Sequence, residues 1–229
     1  MIEIHLISPF DSISKSYLNQ SMMRIAEEKG LVNFSFYNLF DYADPPHNRI
    51  DDYPFGGGHG MILKPEPIFR AVETIQNEND SIDKIIFPSP DGKLFHQKDA
   101  EKLVSSKKII FICGHYKGVD QRVRDKLVTN EYSIGDYVLT GGDLPALVII
   151  DALVRLIPGV LNTIESAEDD SHSNPLLDYP HYTRPEKYKG LKVPEILLSG
   201  HHGKIKEWRQ KKRLEKTSVR RPDMIKEKN

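Results

Sequence analysis

The sequence predicts an α/β fold, a parallel sheet with helices on both faces, and three observations carry that expectation. A short apolar run ends in a glycine- or proline-rich turn and leads into helix-forming sequence three times. Lys84–Phe87 runs into Pro88-Ser89-Pro90-Asp91-Gly92, Lys108–Cys113 into Gly114-His115-Tyr116-Lys117-Gly118, and Tyr137-Val138-Leu139 into Gly141-Gly142. The first two runs are continuously apolar after their leading lysine, the pattern of strands buried on both faces. Finally, 229 residues at 38% hydrophobic content can bury one sizeable core plus a small satellite. In such sheets ligands bind beyond the carboxyl ends of the strands, so the three turns should share one rim.

Taken in order, Ile2–Ile7 alternates well enough for a first strand, and Tyr17–Glu28 reads as a helix ended by Gly30. Val32–Tyr37 reads as a second strand. Pro45-Pro46 opens a loop that continues through Tyr53-Pro54-Phe55-Gly56-Gly57-Gly58-His59-Gly60-Met61, where four glycines point to close approach by a ligand. Pro65-Glu66-Pro67 starts a helix reaching about Gln76, and further helices are expected at Gln97–Val104 and near Asp120–Leu127. The stretch Ser133–Gly142 is read as strand and glycine turn, with Asp143-Leu144-Pro145 opening the helix Ala146–Leu156. Glu165–Pro175 is polar, acidic and without apolar periodicity, which reads as a linker. Beyond it, Ile205, Trp208 and Leu214 mark helical sequence with basic residues on its other sides.

Charge divides along the chain although the net is only −1. Arg184–Asn229 holds 15 Lys and Arg against six Asp and Glu, leaving 17 against 27 elsewhere. That asymmetry fits either a basic module facing a polyanion or a solvated terminal helix. On the first reading Arg184, Lys187, Lys204, Arg209, Lys211, Lys212 and Arg213 contact phosphates, and Trp208 anchors a core. No apolar run reaches membrane-spanning length, and Met1–Phe10 lacks a leading basic region, so a cytoplasmic protein with no membrane partner is expected. The lone Cys113 has no internal disulfide partner, and the nine histidines show no ligand cluster, so no protein-built metal site is expected.

The rim turns lack both the Gly-x-Gly-x-x-Gly of dinucleotide folds and the Gly-Lys-Ser/Thr of a phosphate loop, which argues against NAD and ATP. Peptide groups near Ile134–Leu139, walled by aliphatic and aromatic side chains, suit the edge of an adenine ring. A plain glycine turn between strand and helix is the competing reading of the same residues.

Four strings carry a resemblance. They are Asp51–Met61, the pattern Cys113-Gly114-x-Tyr116-x-Gly118-x-Asp120-x-Arg122, Ser133–Gly142, and Tyr182-Thr183-Arg184-Pro185 with Leu198-Ser199-Gly200-x-His202. In order and over nearly the whole chain they closely resemble the bacterial tRNA (guanine-N1)-methyltransferase family. The resemblance implies a homodimer of the knotted methyltransferase superfamily. It would take a methyl group from S-adenosylmethionine to N1 of the guanosine immediately 3′ of the anticodon, an activity that helps maintain reading frame. A trefoil knot in the N-terminal domain is implied by the family alone.

Carried over by position, the methyl donor is expected against Pro90, Gly114, Tyr116, Ile134, Gly135, Asp136, Tyr137, Val138, Leu139, Gly141, Gly142 and Pro145, and RNA also against Gly57, Gly58 and His59. The family's catalytic aspartate falls at Asp170, with Asp169 a competitor beside it, and its catalytic arginine at Arg155. Guanine N1 carries a proton at neutral pH, so attack on a sulfonium methyl needs a general base, for which a carboxylate serves. An arginine near O6 stabilises the developing charge. The implied organisation is a donor-binding domain over 1–160, a linker bearing the aspartate over 161–175, and a basic, mostly helical tRNA-binding domain over 176–229, with active sites at the subunit interface. The resemblance also raises Mg²⁺ dependence, carried by substrate or donor rather than by a protein cage. His115, Lys117 and His172 depart from the residues usual in the family.

Overall fold

The computed structural model describes residues 1–161, 170–172 and 175–226. The chain divides into two compact units, Met1–Asn162 and Thr163–Asn229.

The first unit is built on a five-stranded parallel sheet in the order β2-β1-β6-β5-β7. Its strands are β1 (Ile2–Ser8), β2 (Val32–Asn38), β5 (Lys84–Leu94), β6 (Lys108–Ile112) and β7 (Asn130–Ser133). The two-residue strands β3 (Asp51–Asp52) and β4 (Ile62–Leu63) pair with each other instead. Period-two side-chain alternation sends Ile109, Phe111 and Cys113 to one face of the sheet and Ile110 and Ile112 to the other. The first face is covered by α1 (Asp11–Leu18), α2 (Ser21–Glu28) and α6 (Asp143–Val154), whose Ala146, Ile149, Ile150 and Leu153 are fully buried. Pro65–Asn77 (α3) and Gln121–Lys126 (α5) cover the second through Ile68, Val72, Ile75 and Val123, with Gln97–Leu103 (α4) joining the first face through Leu103. Parallel strands with both faces covered agree with the predicted class.

Three local expectations are corrected. The helix read over Tyr17–Glu28 is two helices, because the polar string Asn19-Gln20-Ser21 interrupts it and Ser21 sits at φ 49. The strand expected to stop at Phe87 continues to Leu94. Residues 89–92 bulge out, after which the chain resumes pairing, so that Tyr132 lies opposite both Pro88 and Lys93. Gly92 makes that return feasible, since a β-carbon there would stand 2.7 Å from the Tyr132 amide nitrogen. Finally, Tyr137-Val138-Leu139 is loop, and the strand preceding it is β7. Their apolar side chains are 55%, 81% and 41% exposed, lining a cavity instead of a sheet.

The second unit holds an antiparallel hairpin of β8 (Lys187–Tyr188) and β9 (Leu191–Lys192), a short helix Glu195–Leu198, a long helix His202–Arg220 and a last turn Asp223–Lys226. Its interior is polar: buried Thr217 accepts the Leu177 amide at 2.9 Å, and the Lys216 ammonium donates to the Asp178 carbonyl at 2.8 Å. Residues 162–169, including Asp169 and much of the expected linker, lie outside the described residues.

Candidate active site

At the bulge of β5 and beyond the carboxyl ends of β6 and β7, three segments meet around a cavity of about 390 Å³. That volume lies within the roughly 300–1,000 Å³ usual for small-molecule pockets. The β5 bulge contributes Pro88–Asp91, the loop after β6 contributes Gly114–Val119, and the loop after β7 contributes Ile134, Gly135 and Tyr137–Gly142, with Pro145 from the first turn of α6. Eleven of the twelve residues expected against the methyl donor line this cavity; the exposed Asp136 does not.

Local chemistry explains why the loops are fixed. The Ser133 hydroxyl donates to the Gly135 carbonyl at 3.0 Å and accepts the Gly135 amide at 3.2 Å, while the Tyr137 amide returns to the same carbonyl at 2.8 Å. A side chain on Gly135 would collide with the Tyr137 ring, at 2.4 Å from Cε1. Gly142 donates its amide to the Gly114 carbonyl at 2.7 Å, and a β-carbon on it would stand 2.7 Å from the Gly114 nitrogen. Backbone therefore crosses backbone at the cavity floor, which only glycine permits. Gly142 also caps α6, so the positive end of that helix opens on the cavity.

Beneath the crossing, Asp143 is 3% exposed and accepts the Ser8 hydroxyl at 2.6 Å. Burial raises its carboxyl above the usual value, and the Ser8 bond opposes the shift. The His115 ring lies edge-on to Phe10 and Tyr116, with centroids 5.1 and 4.9 Å away. Its buried Nδ1 has no hydrogen-bond partner among the described residues. Tyr116 itself is held at φ 58. Burial, then the neighbouring Asp51 carboxylate, pushes its hydroxyl upward. Cys113 is fully buried, and burial lifts its thiol well above the ordinary value, which makes it a packing residue rather than a nucleophile.

Sequence reasoning missed Asp91 and Arg124, both in the cavity wall. Arg124 donates through Nε to Glu131 at 2.9 Å and through NH2 to Asp91 at 2.8 Å. Ser89 also bonds Asp91; the Ser89 hydroxyl first, and Arg124 after it, hold the Asp91 carboxyl below the usual carboxylate range. Thirty-three residues separate Asp91 from Arg124, so no sequence spacing announces the pair.

The glycine-rich loop adjoins the cavity. Lys117, in the cavity wall, donates its amide to the Met61 carbonyl at 3.1 Å, and Leu63 donates to Gly118 at 3.0 Å. Gly56, Gly57, Gly58 and Gly60 all hold positive φ, leaving Phe55 and His59 in solvent. Arg155 is at the far end of α6 from the cavity and does not line it. Asp170 and His172 belong to the second unit.

Of the cationic residues expected to face RNA, Arg184, Lys187, Lys204, Arg209 and Lys211 are exposed; Lys212 is half-buried and pairs with Glu215 at 2.7 Å. Arg209 also covers the Tyr179 ring at 4.7 Å. Arg213 is a correction: it is 7% exposed, and its Nε donates to the Leu177 carbonyl at 3.3 Å, so its charge supports the fold. Trp208, expected as a core anchor, is half-buried. Among the described residues no three His, Cys, Asp or Glu side chains gather as a metal site requires, and no helix is long and apolar enough to cross a membrane.

Fold and cavity together define an α/β protein with a cavity of small-molecule size walled by loops at the strand ends. Comparison gives the family: the tRNA (Guanine-1)-methyltransferase TrmD family model matches residues 2–227. The chain is 50% identical over 226 residues to the tRNA (guanine-N(1)-)-methyltransferase of Bacillus subtilis, covering 99% of this chain and 93% of that one. It is 50% identical over 224 residues to the protein of that name from Anoxybacillus flavithermus, covering 98% and 91%. The protein so named from Clostridioides difficile is 47% identical over 229 residues, covering 100% and 99%. The chain belongs to the tRNA (guanine-1)-methyltransferase family and is thus an enzyme of the methyltransferase class.

Proposed function

We propose that this chain methylates N1 of the guanosine immediately 3′ of the anticodon in tRNA, using S-adenosylmethionine, and so helps maintain reading frame. The observation that carries this reading is the cavity itself, where three separate loops bring together the residues expected to hold the donor. The fit is one of shape and polarity. Gly114, Gly141 and Gly142 let the loops close on one another where β-carbons would stand 2.9 Å from the Phe87 ring, 2.8 Å from the His115 ring and 2.7 Å from the Gly114 nitrogen, and Tyr137, Val138 and Leu139 of the third loop line the cavity where an adenine edge is proposed to lie. The α6 N-terminus favours a carboxylate. When bound, the sulfonium supplies an electrophilic methyl group.

The protein's own part is to remove a proton and steady a charge. Asp170 accepts the N1 proton of the guanine as its nitrogen attacks, and Arg155 stabilises the negative charge that moves toward O6. Geometry bears on where these groups come from. The 12 residues of α6 span about 18 Å, with the cavity at one end and Arg155 at the other, farther than an arginine side chain reaches. That separation supports the reading in which Arg155 meets the base across a boundary between two copies of the chain, the cavity of one facing Arg155 of the other. An apolar patch supports such a homodimer. Ile13 and Tyr17 on α1, with Leu144 and Val148 on α6, repeat at i, i+4 and are 44%, 45%, 55% and 50% exposed. The Tyr17–Asp151 hydrogen bond links the two helices that carry these side chains.

The tight passage of Gly142 over Cys113 and Gly114 supports the trefoil path expected of the family. The second unit, with its surplus of cations, is proposed to hold tRNA phosphates, and Gly57, Gly58 and His59 to approach the RNA beside the cavity. Mapping methylated nucleotides in a tRNA transcript after incubation with purified protein and donor tests the reading. One N1-methylguanosine next to the anticodon is expected, and none when that guanosine is replaced. Methylation elsewhere, or none with the wild-type transcript, overturns it.

A further inference from the structure

The second unit contains a groove of its own, of about 440 Å³, whose lining includes Arg184 but whose aromatic side chains have no role described above. It lies between the segment Tyr182–Pro185 and the hairpin of β8 and β9. The hairpin turn has a defined geometry. Lys189 at φ 49 and Gly190 at φ 84 make a two-residue turn with both central residues left-handed, the geometry that matches strand twist. Val193 donates to the Glu186 carbonyl at 2.9 Å, extending the pairing by one step. Register places Tyr188 opposite Leu191 and, two residues along each strand, Glu186 opposite Val193 on the same face; all four line the groove.

That lining is unusual for a solvated surface. Tyr182 is 50% exposed, Tyr188 60% and Leu191 75%, so two aromatic faces and an aliphatic one are presented to solvent in a unit with little apolar interior. The Lys189 ammonium stands 5.4 Å from the centroid of the Tyr188 ring, so that ring already takes a cation against its π-face. Around these rings the chain sets Arg184, Lys187, Lys189 and Lys192 against Glu186 and Glu195. The four cations outnumber the two carboxylates, so a polyanion with flat aromatic rings matches both the charge surplus and the tyrosines, whereas an apolar protein partner matches the rings alone.

We propose that this groove is a stacking site for an unpaired nucleobase of the RNA substrate, with Tyr188 and Tyr182 against the base and Arg184 and Lys192 at the flanking phosphates. The inference rests on the tRNA reading above and extends it to a second, sequence-tolerant grip within the C-terminal unit. Base stacking on an aromatic side chain contributes affinity irrespective of sequence, because every base has a π-face. The cations contribute the salt-dependent part.

Two measurements on the full-length protein test it. The first compares tRNA-transcript affinity, across a salt series, for wild type, Tyr188→Phe, Tyr188→Leu, Tyr182→Leu and Arg184→Gln. Tyr188→Leu is expected to weaken binding roughly tenfold with an unchanged salt slope, Tyr188→Phe to stay within about twofold, and Arg184→Gln to reduce the slope by about one. The second needs no variant: transcripts carrying 2-aminopurine at each unpaired position in turn are titrated with wild-type protein, and stacking quenches at least one probe outside the methylated site. Wild-type affinity in both leucine variants overturns the proposal, as does the absence of quenching at every such position. A change of oligomeric state in Tyr188→Leu, with RNA affinity intact, makes the groove a protein interface and overturns it equally. Failure of the tRNA reading itself looks different, as loss of methyl transfer by wild-type protein whatever the groove variants do.

Discussion

The cavity and the C-terminal unit use backbone and side chains in opposite ways. Around the cavity, the walls are built from peptide groups held in place locally: the Ser133 hydroxyl closes on Gly135, and Gly142 lies on Gly114. Both strands and helix below are packed by fully buried Ile, Leu and Val. In the C-terminal unit the buried positions include Leu177, Arg213 and Thr217, and most cations are in solvent at the ends of long side chains. A small electrophile demands fixed geometry, because a misplaced line of attack costs rate. A polyanion asks for charge, which adapts and is screened by salt. Rigidity and charge are thus allotted to separate parts of one chain.

The comparison breaks most visibly if the second unit supplies more than grip. Asp170→Ala is expected to lower methyl transfer by about 10²–10⁴-fold with donor affinity unchanged, while Asp169→Ala stays near wild type. Full activity in the Asp170 variant removes it as the base. Mixing Asp170→Ala with a cavity variant should restore part of the activity through mixed dimers, and no rescue would place the whole site within one chain.

Rigidity is tested next by Gly142→Ala. The added carbon meets backbone atoms of Gly114 and Cys113 at 2.7 and 3.0 Å, which have no flexible end to yield. Overpacking of this kind costs about 1–3 kcal/mol. A lower melting temperature and at least roughly tenfold weaker calorimetric donor binding are expected, and unaltered binding would show the crossing to be unimportant to the cavity. Charge is tested by Lys204→Gln with Lys211→Gln, which should cut the salt dependence of tRNA affinity by about one per lysine and leave donor affinity alone. An unchanged slope moves the phosphate contacts elsewhere.

The smallest effect concerns pH. Burial raises the Asp143 carboxyl above 3.8, so the folded state holds its proton more tightly than the unfolded chain does. Stability from this group is then lost as pH rises from 3.8 through the higher folded value. Asp143→Asn should flatten the melting temperature across that window; an unaltered slope would assign the dependence to other groups.

Much of this was legible before any coordinates. Continuous apolar runs such as Lys108–Cys113 read directly as buried strands, and the glycines of the three turns pointed to one rim, because strand ends in a parallel sheet share an edge. Tyr137-Val138-Leu139 misled for a physical reason: an apolar triplet that walls a cavity has the same composition as one that fills a sheet. Arg213 misled similarly, since charge alone does not say which face of a helix turns inward. Asp91 and Arg124 gave no signal, being joined only where β5 bulges toward α5.

By itself the sequence determined the class of fold, the three loops and the family, since these rest on local periodicity, turn chemistry and motif. Tertiary structure alone decided that Gly142 crosses Gly114 and that Asp91 meets Arg124. Each of those is a through-space relation between residues far apart in the chain, set by how the strands order themselves, and no local pattern encodes that order.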